Sequence, residues 1–327
     1  DRPLLADLMA AYAARLSGDR DVRPPLPVQY ADYTLWQADL LGDAADPQSL
    51  AGRQLAYWQS ALAGAPDELE LATDRPRPPR PSHRGSVVRR TVDPESVRGL
   101  RTLARSLDAS VFMTLHAASV VLLHRITGSD DIVLGAPVAG RGEEGLDQLV
   151  GFFVNTLVLR TAVDGRSTLQ RAVEEARSVD LEVFAHADVP FDAVVARVAP
   201  ERSMSRNPLF QVMISHHTGP LGDGDAALMT PAKFDLVFNY TEDLTSDRLV
   251  LELEYAEDLF DASTAEAVTA RQLAVLDALA TDATAVVDDV DIFLPTERDD
   301  VLRRFNDTAR AVPEESLFES YLRWVET

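Results

Sequence analysis

Residues 130–162 read DDIVLGAPVAGRGEEGLDQLVGFFVNTLVLRTA. Two parts of this stretch, 131–136 and 154–162, are apolar and rich in β-branched residues, which is typical of β-strands. The run GRGEEG between them has the glycine and charge content of a loop. The stretch therefore predicts a strand, a loop and a returning strand, with Asn155 as the polar exception inside the second strand.

Further helices and strands follow on both sides of this unit. Apolar residues three and four positions apart predict helices, and short β-branched or alternating runs predict strands. The predicted helices are 3–16, 30–41, 50–62, 169–184, 191–198 and 262–280, and helical periodicity also runs over 93–128. The other predicted strands are 86–92, 209–215, 234–241 and 249–255. This mixture predicts an α/β (α+β) layered sandwich.

Length and composition narrow the class of protein. The chain has 327 residues, 46% of them hydrophobic, which is enough for a sizeable core. A formal net charge of -22 argues against nucleic acid or an anionic membrane surface as a partner. The lack of cysteine excludes disulfides, thiolate metal sites and a cysteine nucleophile. The longest apolar run, 111–123, is shorter than the roughly 20 residues of a transmembrane helix and predicts a buried helix.

The pair His216-His217 resembles the start of a catalytic HHxxxDG motif, and Asp223-Gly224 follows it. The motif would require Asp at position 221, where the chain has Leu, so the match fails. The stretch SHHTGPLGDGD has the composition of a turn. We therefore interpret both histidines as partly exposed residues at the end of a loop.

The other motifs of general catalytic use predict no active site in this chain. His116 and His124 lie eight positions apart on an apolar helix, and they are interpreted as core residues rather than metal ligands. The chain has no glycine-rich phosphate loop, no GxSxG elbow and no HExxH motif. No metal site is predicted.

Five longer strings follow one another in a fixed order along the chain. They are PVQYADYTLWQ (27–37), DDIVLGAPVAGR (130–141), GFFVNTLVLRT (151–161), AHADVPFDAVV (185–195) and RSMSRNPLFQVM (202–213). Each string resembles a motif of the condensation domains of nonribosomal peptide synthetases. One such match has little weight, but five in order favour membership of this family.

Both ends of the chain extend the resemblance. The last part, LPTERDDVLRRFNDTARAVPEESLFESY (294–321), resembles the linker and first helix of an adenylation domain. The first helix, PLLADLMAAYAARL (3–16), resembles the one that directly follows HHxxxDG in this family. The resemblance thus implies that the N-terminal part of the domain, with HHxxxDG, is not in this chain. The predicted divisions are 1–65 for the C-terminal helices of the first lobe, 66–82 for a proline-rich connector, 83–294 for the second lobe, and 295–327 for the linker and first adenylation helix.

The resemblance implies a fold like that of chloramphenicol acetyltransferase, with a tunnel between two lobes that two carrier-bound substrates enter from opposite faces. The complete domain would be an amide-forming acyltransferase, joining an acyl or peptidyl donor to an aminoacyl acceptor. The substrates are carried on phosphopantetheine, so no directly bound cofactor is implied. The implied partners are an upstream donor carrier domain, a downstream acceptor carrier domain, a downstream adenylation domain and the missing first-lobe segment. The implied location is the cytoplasm.

No catalytic residue is expected in this chain, because none of its histidines stands in HHxxxDG. We therefore expect the fragment itself to be inactive. Two other functions stay open: a catalytically silent module of the same fold that recruits a partner protein, and a coenzyme A-dependent acyltransferase. An intact HHxxxDG upstream would reject the first, and the adenylation-like end argues against the second.

The family motifs also indicate which residues shape the tunnel and the fold. Asn155, Phe153 and Thr156 are expected at the tunnel. Asn155 has two possible roles: its amide donates to a substrate carbonyl or developing oxyanion, or it bridges two loops at the start of a strand. The motif residues expected to maintain the fold are Tyr30, Asp32, Trp36, Arg141, Asp188, Pro190, Phe191, Ser205, Arg206, Asn207 and Pro208.

Overall fold

The structure is a computed structural model, and it describes residues 2–18, 25–198, 203–221, 231–310 and 316–325. Residue 202 of the fifth family motif and Asp223-Gly224 lie outside the described residues. The chain divides into two compact units, Asp1–Ile292 and Phe293–Thr327. The first unit contains the sheet and its helices.

A six-stranded sheet forms the centre of the first unit. Its strands are β1 (Gly85–Thr91), β2 (Asp131–Ala139), β3 (Val154–Ala162), β4 (Val212–Thr218), β5 (Leu236–Asp243) and β6 (Arg248–Ala256), in the order β1-β6-β5-β4-β2-β3. β4 is parallel to its neighbours β2 and β5, and the other pairs are antiparallel. The strand, loop and returning strand predicted for residues 130–162 are the antiparallel pair β2 and β3.

The helices agree in type with the sequence analysis. They are α1 (Arg2–Ser17), α2 (Tyr30–Leu41), α3 (Leu50–Ala61), α4 (Pro94–Ser106), α5 (Val111–Thr127), α6 (Leu169–Phe184), α7 (Phe191–Val198), α8 (Ala262–Thr281), α9 (Pro295–Asp299) and α10 (Leu317–Val325). The periodicity over 93–128 divides into two helices because each has its own cap. Asp93 accepts from the N–H of Glu95 at the start of α4, and Ser110 accepts from that of Met113 at the start of α5. The observed mixture of helices and strands confirms the α/β class.

Helix α5 is the centre of the core. Every residue from Met113 to His124 is buried, and the helix contacts α4, α6, α8 and the sheet. A helix covered on all sides needs no polar face, which accounts for its continuous apolar run. No single helix among the described residues is long and apolar enough to cross a membrane; α4 and α5 reach that composition only as a pair bent by 108°.

Strand β4 is displaced from its predicted position. The sequence predicts 209–215, whereas the strand runs from Val212 to Thr218. Leu209 has a φ of 69°, in the left-handed region that a strand residue does not adopt. The ring of the next residue, Phe210, fills the space above Gly135, where a Cβ would lie 2.1 Å from it. The extended backbone therefore begins only after Phe210.

The segment predicted as a connector, 66–82, has neither helix nor strand. Most of its residues are exposed, but several are held by the second half of the unit, Leu69 and Arg77 among them. Leu69 is buried, and its N–H donates to Oε1 of Gln211 at 3.0 Å. Arg77 donates to both carboxylate oxygens of Asp235, at 2.8 and 2.5 Å. The segment thus lies along the folded unit and is fastened to it at these points.

Candidate functional site

Aromatic side chains from α2 meet the loop that joins β2 to β3. The ring of Phe153, which is 6% exposed, lies 4.8 Å from that of Tyr33 and 5.3 Å from that of Tyr30, measured between centroids. The two tyrosines reach the same ring because they are three positions apart on one helix face. We call this group the loop cluster. Its other buried members are Leu146 and Leu149.

Tyr30 also fixes the end of the loop through its hydroxyl group. Its Oη donates to the backbone carbonyl of Phe152 at 2.9 Å, while the Phe152 side chain itself is 78% exposed. The ring of Tyr30 passes so close to Gly151 that a Cβ there would lie 2.3 Å from it. A glycine is therefore required at 151 for this contact.

Arg141 holds the middle of the same loop. Its guanidinium lies 4.1 Å from the centre of the Phe153 ring, a cation–π distance. The same group donates to the carbonyl of Leu149 at 2.9 Å and to that of Leu146. The motif residue Arg141 thus bonds to the backbone of the loop and packs on the ring of Phe153.

Asn155, the second residue of β3, uses its whole amide on backbone groups. Its Nδ2 donates to the carbonyls of Ala187 and Val189, at 2.9 and 2.8 Å. Its Oδ1 accepts from the N–H of Phe191 at 3.0 Å and from that of Thr156 at 2.9 Å. An amide side chain has two N–H donors, so neither is free for a substrate carbonyl in this geometry. Of the two predicted roles, the bonding favours the bridge between strand and loop.

Helix α3 also holds the loop of residues 186–190, through hydrogen bonds from Gln54 and Trp58. Oε1 of Gln54 accepts from the N–H groups of Asp188 and Val189, at 3.0 and 3.1 Å, and Nε2 of Gln54 donates to the Asp188 carboxylate at 2.6 Å. Four positions on, Trp58 donates from its indole to the carbonyl of His186 at 3.0 Å. We call Asn155, Gln54 and Trp58 the loop clamp.

Sequence reasoning singled out Asp188 but missed its partner Gln54, which is 2% exposed. The available signal was a polar residue on the buried face of α3, spaced four positions from Trp58. A buried amide needs partners, so that spacing marks a hydrogen-bonding pair, although it does not identify the loop that is bound.

The remaining residues of the fourth motif connect the clamp to the core. Pro190 stands directly before α7, and its carbonyl accepts from the N–H of Ala193 at 2.9 Å. The ring of Phe191 lies 5.7 Å from that of Phe210. Thr156 is half-buried, and its N–H is one of the donors to Asn155.

The residues of the fifth motif form a separate group before β4. Arg206 donates to Oε2 of Glu68 at 2.6 Å, and Asn207 donates to the carbonyl of Lys233. The hydroxyl oxygens of Ser203 and Ser205 are 2.9 Å apart. Two other motif residues also have local contacts: the Pro208 carbonyl accepts from the N–H of Phe210, and Asp32 accepts from the N–H of Gln29 at the start of α2. Trp36 lies on α2 with its ring 5.9 Å from that of Tyr33.

The two adjacent histidines are strand residues, which corrects the interpretation of them as loop-end residues. Both lie within β4, with His216 half-buried and His217 exposed. Nε2 of His216 is 3.1 Å from Oε2 of Glu242, which in turn pairs with Arg101 at 2.8 Å. Burial lowers the pKa of His216, against the opposing effect of the Glu242 carboxylate. The group forms a charged cluster at the end of the strand.

The two histidines of α5 are both buried, as predicted. Nδ1 of His116 lies 2.9 Å from Oδ1 of Asp180, and both side chains are fully buried. His124 lies 3.1 Å from Asp288. Among the described residues, no group of three or more His, Cys, Asp or Glu side chains is placed to hold a metal ion.

The model of one protein family, the condensation domain, matches residues 2–302. Over 310 residues the chain is 43% identical to the probable non-canonical nonribosomal peptide synthetase CymA of Salinispora arenicola. Over 332 residues it is 38% identical to the dimodular nonribosomal peptide synthase of Bacillus subtilis. These alignments cover 91% and 98% of this chain but 4% and 14% of the relatives.

Among solved structures, the chain is similar to the X-domain in the complex of the X-domain and OxyB from teicoplanin biosynthesis. The two chains are 30% identical with a TM-score of 0.84, and the match covers 90% of this chain and 66% of the other.

Proposed function

Because the chain belongs to the condensation-domain family, we propose that it forms part of a domain that joins a carrier-bound acyl or peptidyl thioester to the amine of a carrier-bound aminoacyl group. The amine nitrogen attacks the thioester carbonyl, the C–N bond forms and the C–S bond breaks. The phosphopantetheine thiol of the donor leaves with the proton that the amine loses. The family match over residues 2–302 carries this proposal.

The chain's own residues would position one wall of the substrate tunnel. Phe153 would anchor the loop of residues 140–153, because its ring packs against Arg141 of the same loop and against Tyr33 of α2. Asn155 ties the start of β3 to the loop at 186–191, and we place the half-buried Thr156 beside it at the tunnel. Amide formation between two bound reactants depends on holding them in near-attack geometry, so a rigid wall contributes directly to rate.

Carrier domains would bring both substrates on phosphopantetheine, so the domain needs no cofactor of its own. We propose a donor carrier upstream, an acceptor carrier downstream and an adenylation domain after residues 295–327. The similarity of this chain to a dimodular synthase supports the multidomain setting. The cytoplasm is the proposed location.

A carrier-to-carrier transfer assay tests the proposal. The 327-residue chain alone is expected to give no amide, because none of its histidines stands in HHxxxDG. The same chain joined at its N-terminus to a first lobe that carries HHxxxDG is expected to transfer the donor group, with His216→Ala and His217→Ala variants as active as the parent. Transfer by the chain alone that is lost in either histidine variant would overturn this assignment of the site.

A silent module that recruits a partner protein is the second candidate. It is favoured by one observation, namely that the X-domain similar to this chain was solved as a complex with OxyB. The transfer assay on the extended chain distinguishes the two candidate functions. Amide formation supports the first candidate, whereas a stable complex with a partner and no transfer supports the second. Transfer from an acyl-coenzyme A, with no carrier present, would instead support the stand-alone acyltransferase.

A further inference from the structure

A cavity of about 460 Å³ lies at the end of the sheet where β1, β4 and β5 begin. Its walls come from the segments that precede these three strands and from residues 77–81 of the connector. A volume of this size suits a small ligand or part of a larger one. It is separate from the loop clamp, whose residues do not line it.

Two arginines build the walls of the cavity and are already paired. Arg77 is bound through two hydrogen bonds to Asp235, which raises the pKa of the guanidinium further above its ordinary value. Arg206 donates to Glu68 at 2.6 Å, and Glu68 also accepts from Arg77 at 3.0 Å. These four side chains neutralise one another and fix the shape of the cavity.

Three more cations line the cavity with less compensation. Arg80 and Lys233 are both exposed, and among the described residues neither has an ion pair with a carboxylate within 4.0 Å. Lys233 nevertheless acts on the Glu254 carboxyl, where its charge opposes the rise in pKa that burial causes. Arg84 has its nearest carboxylate, that of Glu257, at 4.0 Å. One further acid lines the cavity, Asp258, whose pKa is lowered by hydrogen bonds from Ser82. Among the described residues that line the cavity, the cations outnumber the acids, in a chain whose net charge is -22. The cations are Arg77, Arg80, Arg84, Arg206 and Lys233, and the acids are Asp235 and Asp258.

Hydroxyl groups complete the set of donors. Oγ of Ser203 and Oγ of Ser205 lie 2.9 Å apart and share one hydrogen bond, with either atom as donor. Each hydroxyl has one hydrogen, so one of the two hydrogens is not used in this bond, and among the described residues no other acceptor of it is found. The pair lines the same cavity as Lys233 and Arg80.

We propose that this cavity binds a phosphate group. A guanidinium, an ammonium and a hydroxyl group that line one cavity match a tetrahedral anion with several acceptor oxygens. A phosphate monoester carries close to two negative charges near neutral pH, so it gains more from this site than a single carboxylate does. The group can come from inorganic phosphate or from an ester such as pantetheine 4′-phosphate. The inference is independent of the proposed amide formation.

Titrations of the 327-residue chain at low salt test it, with amide resonances or heat of binding as the readout. The probes are inorganic phosphate, pantetheine 4′-phosphate and, as the phosphate-free control, pantetheine. We expect both phosphate compounds to bind and pantetheine not to bind. Equal affinity for inorganic phosphate and pantetheine 4′-phosphate identifies the bare phosphate as the ligand. Much tighter binding of the ester shows that the cavity also contacts its organic part. Binding of pantetheine with the same affinity as its phosphate would overturn the proposal.

Matched charge reversals locate the site. Lys233→Glu and Arg80→Glu should each weaken phosphate binding by about tenfold or more, the effect of losing one charge-assisted hydrogen bond. Arg98→Glu is the control, because it changes the net charge equally from an exposed position on α4. Equal weakening in all three variants, or no binding by the parent chain, would show that the cavity is not a phosphate site.

Discussion

At Asn155 a single amide satisfies four backbone groups that belong to β3 and to the loop of residues 187–191. An unsatisfied buried polar group costs about 1–3 kcal/mol, and water reaches some of these half-buried groups. We therefore expect Asn155→Ala to lower the free energy of unfolding by about 3 kcal/mol, measured by urea denaturation. The loop at 187–191 should also exchange its amide hydrogens faster in this variant.

Two further variants show whether the hydrogen bonds of Asn155 cause that loss. Asn155→Asp keeps an oxygen that accepts from Phe191 but places a carboxylate against the carbonyls of Ala187 and Val189, so it should also destabilise the chain. Asn306→Ala removes an amide of the same size that donates to the carbonyl of Val301 in the C-terminal unit. An unchanged unfolding curve for Asn155→Ala, or an equal loss in Asn306→Ala, would contradict the role of Asn155 as a bridge.

His216 predicts how stability depends on pH. Burial lowers its pKa in the folded chain below the ordinary value of about 6.5, so the unfolded chain binds more protons as pH falls. The stabilising contribution of neutral His216 is complete above about pH 6.5 and is lost as pH falls toward the folded pKa. His216→Gln retains an N–H for Glu242 without titrating, so its melting temperature should fall less than that of the parent between pH 7.5 and 5.5.

The exposed neighbour, His217→Gln, is the control for removal of a histidine. It should follow the pH dependence of the parent chain. If His216→Gln also follows the parent, burial of His216 does not couple its protonation to folding.

The residue scale also shows how much of the candidate site the sequence predicts. Asn155 could be found because a polar residue inside an apolar strand requires partners. Its partner loop was also marked, by the motif that contains Asp188. Gln54 was missed, because its contact with Asp188 spans 134 positions and a single sequence carries no information on such distances. The sequence thus located polar exceptions but not the pairs that they form.

Among the secondary-structure elements, type was predicted more accurately than position. Periodicity located α2, α6 and α7 because their apolar faces repeat at helical spacing. Periodicity gave the wrong start for β4. The largely apolar run LFQVM (209–213) begins at Leu209, but the strand begins only at Val212. Phe210 is apolar because it packs over Gly135, rather than because it belongs to a strand. The sequence pattern records burial, and the same burial arises from a loop residue and from a strand residue.

The connector of residues 66–82 gives an element-scale prediction. Arg77 fastens it to the folded unit through Asp235, so Arg77→Ala should loosen it and speed cleavage by thermolysin at Leu69 and Leu71. The measurement is the rate of limited proteolysis, with cleavage sites assigned by mass. Cleavage within 111–123 before the connector would contradict the described fold, in which α5 is the centre of the core.

A second arginine in the same segment shows whether the effect of Arg77→Ala comes from its ion pair or only from the loss of a positive charge. Arg80→Ala removes an exposed cation of the same connector and should leave the cleavage rate unchanged. Equal acceleration in Arg77→Ala and Arg80→Ala would show that the Asp235 pair does not hold the connector.

For the whole molecule, the sequence predicted the family and the class of fold, and both predictions are confirmed. Five motifs in order were sufficient because each reflects a contact of the folded domain, such as Arg141 with its loop or Asn155 with its two segments. The order of the six strands was not predicted. It depends on the pairing of strands far apart in sequence, such as β1 with β6, which no local pattern encodes.

The contrast between α5 and α10 gives a prediction for the whole chain. The large apolar side chains of α10 are exposed, Leu317 to 92% and Trp324 to 81%, whereas the side chains of α5 from Met113 to His124 are buried. A helix shorter than about 12 residues is marginal in water unless packing stabilises it. Hydrogen exchange should therefore be fastest in residues 317–325 and slowest in α5, where opening requires unfolding of the core. Measurement by mass spectrometry on the 327-residue chain, with α7 as a short helix that does pack, provides the comparison. Protection of α10 equal to that of α7 would mean that its apolar side chains are covered in solution, and the exposure described for them would be wrong.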